Sequence, residues 1–357
     1  MATISLAMIV KNEEEVLARC LSTVAPVVDE IIIVDTGSTD KTTELARQFT
    51  THLYDFEWVD DFSAARNFAF SKGTCDYLMW LDADDYLKPE DQQKLLELKQ
   101  TLSPEVDLVM LKYDIAFDEA GRTTVSNYRE RLMKRTMNYQ WEEPVHESIP
   151  LSGNILKVDI AITHNKPATR ELSDRNLRIL EAQEQLSPRS LFYYARELKD
   201  HGRFQEALTR YDEFLDGGEG WLEDNLSACH EAAYCCRQLG EDGFEVSYIL
   251  QTLLYDLPRA NTCCWLGAYF LEQGRFGQAI YWYDQALSPN TQQGGGMIAT
   301  DFFGYIPHMQ LCVALSALGK QDLAFKHHLE AKALKPHDES VLANDIYFKD
   351  LGYEVEL

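Results

Sequence analysis

Basic residues are scarce in this chain. There are 33 lysines and arginines against 58 aspartates and glutamates, a formal net charge of −25. A surface so acidic repels phosphate backbones and anionic head groups, which argues against nucleic acid and passive membrane docking. A nucleotide ligand would need local help from a metal ion or a few arginines. Long apolar runs are missing as well, so no transmembrane segment is expected. The start, Met1-Ala2-Thr3-Ile4-Ser5-Leu6, lacks the basic flank of a signal peptide. The eight cysteines contain no C-x-x-C pair. Most sit in apolar periodic stretches, where cysteine behaves as a small hydrophobe. That argues against a structural zinc site and suits a reducing cytosol, so a cytoplasmic location is expected. No P-loop, G-x-S-x-G elbow or H-E-x-x-H appears. Gly294-Gly295-Gly296 lacks the following lysine and the strand context of a P-loop, and reads as a flexible loop.

What is present is enough for two domains, because 357 residues exceed one ordinary core. Short apolar runs without helical period predict buried strands at residues 4–10, 30–34 and 77–81, with a further strand at 52–56. Helices are expected between them at 13–24, 42–49 and 61–71, and after them at 89–102, where Pro89 suits a first helical position. This alternation predicts a doubly wound, mostly parallel α/β sheet, whose ligands bind beyond the carboxyl ends of the strands. Polar clusters at Asn12, Asp35 and Asp82 fall at such ends. Residues 108–117 and 123–132 flank Asp118-Glu119-Ala120-Gly121, a hairpin signal, and further strands are expected at 139–145 and 155–162.

After Ser173 the pattern is helical, and four segments look alike. The clearest has Trp265-Leu266-Gly267, Gly274-Arg275-Phe276, Ala279-Ile280, Tyr283 and Ala286-Leu287, closed by Pro289. This is the helix–turn–helix grammar of tetratricopeptide repeats, and Gly240 to Gly274 matches their period. The expected domains are 1–168, the α/β domain, and 169–357, all-α repeats interrupted by a loop at 291–296.

Asp82-Ala83-Asp84 is the chemical centre. On a strand end, alternate residues point the same way, so both carboxylates can face one site. Beside a diphosphate they would repel it unless Mg²⁺ or Mn²⁺ lay between. An isolated D-x-D is more often a solvated turn or a helix cap. Its context here is Met8-Ile9-Val10-Lys11-Asn12-Glu13, Val34-Asp35-Thr36-Gly37-Ser38-Thr39-Asp40 and Ser63-Ala64-Ala65-Arg66-Asn67. This set, in this order, resembles the family 2 glycosyltransferases of the GT-A fold. With the repeat tail the chain resembles the subgroup containing bacterial peptide S-glycosyltransferases and lipopolysaccharide-core glucosyltransferases.

That resemblance implies a nucleotide-sugar donor and roles for particular residues. Asn12 and Glu13 would line the nucleotide pocket, and Asp35 would accept a hydrogen bond from a uracil ring. Arg66 would contact the nucleotide or its phosphates, the alternative being an exposed helix arginine. Asp82 would approach the ribose and metal, and Asp84 would be the main metal ligand. Trp141-Glu142-Glu143-Pro144-Val145-His146-Glu147 resembles a later element of the subgroup. Glu147 is the candidate general base for an inverting transfer, or else a strand-edge surface glutamate. His146 and His164 are candidates for a further metal ligand or phosphate contact, or else structural.

The expected function is transfer of a hexose or N-acetylhexosamine from a UDP-sugar to a peptide or protein side chain. The repeats would hold that acceptor or serve a homodimer. The competing readings are the same chemistry on a lipid-linked or core oligosaccharide, and a non-catalytic scaffold.

Overall fold

The computed structural model describes residues 1–118, 121–165, 173–291 and 298–355. Outside them lie the expected domain boundary at 168, two residues of the expected hairpin turn, and the glycine-rich stretch 292–297. The chain divides into two compact units, Met1–Ser190 and Leu191–Leu357. No helix among the described residues is long and apolar enough to cross a membrane.

The first unit runs β1 (Ile4–Val10), α1 (Leu17–Val24), β2 (Glu30–Asp35), α2 (Thr42–Ala46), β3 (His52–Asp55), α3 (Phe62–Phe70), β4 (Tyr77–Met79) and β5 (Asp85–Tyr86). It continues with α4 (Pro89–Thr101), β6 (Leu108–Phe117), β7 (Thr123–Lys134), β8 (Ile155–His164) and α5 (Arg175–Glu181). The strand order is β3-β2-β1-β4-β7-β6-β8-β5. From β3 to β4 the neighbours are parallel. Beyond β4, antiparallel β7 joins β4 to β6, β6 and β8 are parallel, and β5 closes the edge antiparallel to β8. The α/β expectation holds, with a sheet parallel at one end and mixed at the other.

Both faces are covered. Ile4, Leu6, Met8 and Val10 of β1 pack with Leu17 and Leu21 of α1 in one apolar cluster. The intervening Ala7 packs with Ala69 and Phe70 of α3 in another. Strand alternation therefore sends every second residue to a different helix layer.

Two expected elements differ. Residues 139–145 form no strand; only an isolated bridge joins Glu142 to Ser148. Tyr139, Trp141, Val145 and Ile149 are buried, which produced the strand-like pattern. The left-handed φ of Glu143 (74°) and His146 (55°) breaks the extension. The first helix begins at Leu17 rather than residue 13. The amides of Asn12, Glu13 and Glu14 are taken by the side chains of Ser38, Thr42 and Asp40, which hold that segment out of the helix.

α6 (Pro188–Asp200) carries the chain onward into α7 (Phe204–Gly217), α8 (Leu222–Leu239), α9 (Asp242–Gln251), α10 (Ala260–Glu272), α11 (Phe276–Ala286), α12 (Tyr305–Ala317), α13 (Gln321–Leu334) and α14 (Glu339–Asp350). Each pair turns at a glycine, Gly202, Gly240, Gly274 or Gly319, with φ between 67° and 74°. After each, the next amide reaches back to close the turn: Arg203 to Leu198, Glu241 to Cys236, Arg275 to Phe270 and Lys320 to Leu315. Gly267 lies where a Cβ would meet the Tyr283 ring at 2.7 Å, so the helices cross there only without a side chain. Corresponding positions hold buried Ala195, Ala233 and Cys312. The second unit is a tetratricopeptide-type array.

Candidate active site

The parallel strands bring their carboxyl ends to one edge, where Val10 of β1 lies opposite Asp35 of β2. Asn12 turns the chain with a left-handed φ of 55°. Its Oδ1 accepts the Thr39 amide at 2.8 Å, and its own amide donates to Ser38 Oγ at 2.9 Å. The Glu13 amide donates to Thr42 Oγ1 at 2.7 Å. These bonds fasten the segment after β1 to the segment after β2. Asp35 Oδ2 accepts the amides of Gly37 and Ser38 at 3.1 and 3.0 Å. Its Oδ1 is buried with no hydrogen-bond partner, an acceptor held ready in a place water does not reach.

Arg66 lies on α3, whose start is capped by Asp61 accepting the Ala64 amide. It is 6% exposed, and it is not the exposed helix arginine that pattern alone allows. Its Nη2 meets Asp82 Oδ1 at 2.8 Å and its Nε meets Glu147 Oε1 at 2.5 Å. The guanidinium also lies over the rings of Trp80 and Trp141, 4.7 and 4.9 Å from their centroids. Burial alone would favour the neutral form, but Glu147 and Asp82 push the Arg66 pKa further up. Burial likewise opposes the Asp82 charge, yet Arg66, and Arg131 after it, hold that carboxyl below its ordinary value. Arg66 Nη1 is buried without a partner.

The strand alternation expected for Asp82 and Asp84 does not reach them. β4 ends at Met79, and a turn closed by the Asp85 amide on the Asp82 carbonyl carries the pair. Asp82 therefore turns to Arg66, while Asp84 turns to β8. Among the described residues, the group whose ligand atoms converge within 4.8 Å is Asp84, Asp85 and His164. His164 Nδ1 lies 3.5 Å from Asp84 and 3.2 Å from Asp85. Burial opposes a charge on His164, but Asp85, Asp84 and Asp82 raise its pKa above the ordinary value. Two carboxylates and an imidazole form a donor set that suits Mg²⁺ or Mn²⁺. Asp82 and His146 are not in this group. His146 has a left-handed φ, and its carbonyl accepts Arg189 Nε at 3.1 Å.

A family model described as "Glycosyl transferase family 2" matches residues 5–160. Those residues are a family 2 glycosyltransferase domain. All these side chains except His164 and Arg189 lie within the matched span, and His164 follows it by four residues. Relatives of the chain carry repeat or transferase names. A TPR repeat-containing protein of Synechococcus elongatus is 38% identical over 42% of this chain and 36% of its own length. The SPbeta prophage-derived glycosyltransferase SunS of Bacillus subtilis is 27% identical over 58% of this chain and 51% of its own length. The chain thus spans between about a third and a half of the length of these curated relatives. A solved glucosyl-3-phosphoglycerate synthase from Mycobacterium tuberculosis, in complex with Mg²⁺ and UDP, is 16% identical, with a TM-score of 0.33 over 46% of this chain and 73% of that one. A likeness that loose says nothing further about fold or function.

Several residues of this candidate site escaped sequence reasoning. Asp85 stands in the D-A-D-D string, but only the turn brings it beside Asp84. Arg131 is fully buried under it, with Nη1 3.3 Å from Asp85 Oδ2 and the guanidinium 3.8 Å from the Trp80 ring centroid. The Tyr113 hydroxyl bonds Asp85 Oδ1 at 3.0 Å and His164 Nδ1 at 2.8 Å. Arg131 stands in β7 beside Arg129 and Glu130, and Tyr113 stands in β6 between Lys112 and Asp114, so neither is marked out by its neighbours in the chain.

Proposed function

We propose that this chain is an inverting, metal-dependent glycosyltransferase that moves a hexose or N-acetylhexosamine from a UDP-sugar to a peptide or protein side chain. The observation that carries the reading is the convergence of Asp84, Asp85 and His164 on the sheet edge where Arg66 joins Asp82 to Glu147. Asp35 Oδ1, buried and open, suits the ring N–H of uracil. Arg66 Nη1, the open nitrogen of a buried cation, suits a phosphate oxygen. Asp84 and His164 would hold the divalent cation, with Asp85 fixing the imidazole ring. When bound, that cation neutralises charge on the diphosphate.

Glu147 takes the proton as the acceptor heteroatom bonds to the anomeric carbon, and the bond from that carbon to the diphosphate oxygen breaks. A thiolate acceptor already lacks its proton and would depend less on Glu147. The repeat array supports a peptide or protein acceptor, because such arrays present extended concave surfaces to polypeptides. Calorimetric titration with a panel of nucleotide sugars, with and without Mn²⁺, tests donor and metal together. Intact-mass measurement of peptides after incubation with the donor tests the acceptor. Transfer to an oligosaccharide and never to peptide would move the reading to the second acceptor class.

A further inference from the structure

The loop carrying Glu147 has no strand to hold it, yet it is tied down at several points. The Asn67 amide group grips the Trp141 backbone at both ends, donating to its carbonyl at 2.9 Å and accepting its amide at 2.8 Å. The Pro144 carbonyl accepts the Phe62 amide at 2.9 Å. The remaining ties come from a distant piece of sequence, the first turn of α6.

Ser187 stands just before Pro188, and its Oγ accepts the Ser190 amide at 3.0 Å, an N-cap bond. The same hydroxyl donates to Glu143 Oε1 at 2.6 Å, and Ser190 Oγ donates to Glu143 Oε2 at 2.5 Å. Both oxygens of Glu143 are thus engaged at the start of a helix, where the dipole favours negative charge. Between the serines, Arg189 Nε donates to the His146 carbonyl, the residue before Glu147, at 3.1 Å. Glu143 (φ 74°) and His146 (φ 55°) both hold left-handed backbone, a conformation that non-glycine residues keep only when their surroundings enforce it.

We propose that Glu143 is a positioning residue, through which the first turn of α6 fixes the loop so that Glu147 meets Arg66. This rests on the reading of Glu147 as the proton acceptor.

Glu143→Ala removes both serine contacts and leaves the side chains of Arg66, Asp82 and Glu147 chemically unaltered. Its kcat falls by between about tenfold and a hundredfold, as for a misplaced reacting group. KM for the nucleotide sugar and the calorimetric affinity for UDP stay within about twofold of the parent, a split that mere loss of folded protein would not give. Glu143→Gln, which keeps one acceptor oxygen, recovers part of the loss. Ser187→Ala with Ser190→Ala reproduces the Glu143→Ala loss, and combining all three adds nothing further.

Amide hydrogen exchange in residues 141–149 reads the clamp without turnover, and it quickens in Glu143→Ala. Exchange at the parent rate in that variant overturns the clamp, and so does a loss that simply adds across the three substitutions. Quickened exchange in a chain that transfers no sugar would keep the clamp and overturn the catalytic reading of Glu147.

Discussion

In the sheet unit Arg66 stands between Asp82 and Glu147, and one of its nitrogens meets nothing. In the repeat unit Glu231 stands among Arg196, Lys199 (3.3 Å) and the Tyr211 hydroxyl (2.6 Å). The ingredients are alike: charge that is buried or half-buried, opposite partners and aromatic rings close by. The endings differ. Asp35 Oδ1 and Arg66 Nη1 keep unused hydrogen-bonding capacity beside the strand ends, whereas Glu231 joins α6, α7 and α8 to one another. A buried ion pair therefore points to a site where unfinished hydrogen bonding coincides with the strand ends. The second repeat makes the same point. Where the others have Ala207, Ala279 and Ala324, it has Glu245, buried and paired with Arg237 at 2.6 Å.

This contrast can be broken by experiment. The largest effect is expected at the sheet edge. Asp84→Ala should lower sugar transfer by about 10²–10³-fold or more with an unchanged melting temperature. Turnover close to the parent's in that variant would place the chemistry elsewhere. Next is Glu231→Ala, which strips half-buried Arg196 of this carboxylate and leaves half-buried Lys199 with Asp200. It should cost about 3 kcal/mol of stability in urea denaturation, with UDP-sugar affinity unaltered. A loss of donor binding without a loss of stability would erase the distinction between the units.

The third concerns pH. Burial pushes His230 down to about 4 from its ordinary 6.5, with Glu231 opposing and Arg259 assisting. The unfolded chain takes up that proton first, so this stability is present above pH 6.5 and is lost as pH falls to about 4. Between pH 7.5 and pH 4.5 the parent should lose about 2 to 3 kcal/mol more than His230→Gln in denaturant titrations. Equal losses would mean that His230 titrates freely. The smallest effect belongs to a repeat turn. Gly274 holds a φ of 67° with open space where a Cβ would go, so Gly274→Ala meets backbone strain alone. It should cost about 1 kcal/mol and leave transfer unchanged.

Much of this was legible in the chain. Alternating apolar runs and helix starts gave the α/β class, because burial on both faces leaves a pattern in every strand. The repeat glycines were readable because a turn at positive φ admits few other residues. The site was legible in its members and not in its grouping. Asp82 and Asp84 were expected to share a face, but the turn after β4 separates their partners. Residues 139–145 imitated a strand because alternate burial arises in a loop once side chains elsewhere, such as Asn67, hold its backbone. Asp85, Tyr113, Arg131 and Glu143 left no local mark, since each owes its role to a residue far along the chain.

The sequence by itself determined most of the strands and helices, where the repeats turn, and which carboxylates cluster after the strands. These depend on period, cap and backbone preference, all of which act over a few residues. Only the tertiary structure decided that Arg66 joins Asp82 to Glu147, that His164 meets Asp84 and Asp85, and that α6 holds the Glu147 loop. Those pairings cross 16, 81 and 79 positions of chain for Arg66–Asp82, Arg66–Glu147 and Asp85–His164. Their partners are chosen by the need of a buried charge for an opposite one, and sheet order, which no local pattern records, settles which opposite charge is within reach.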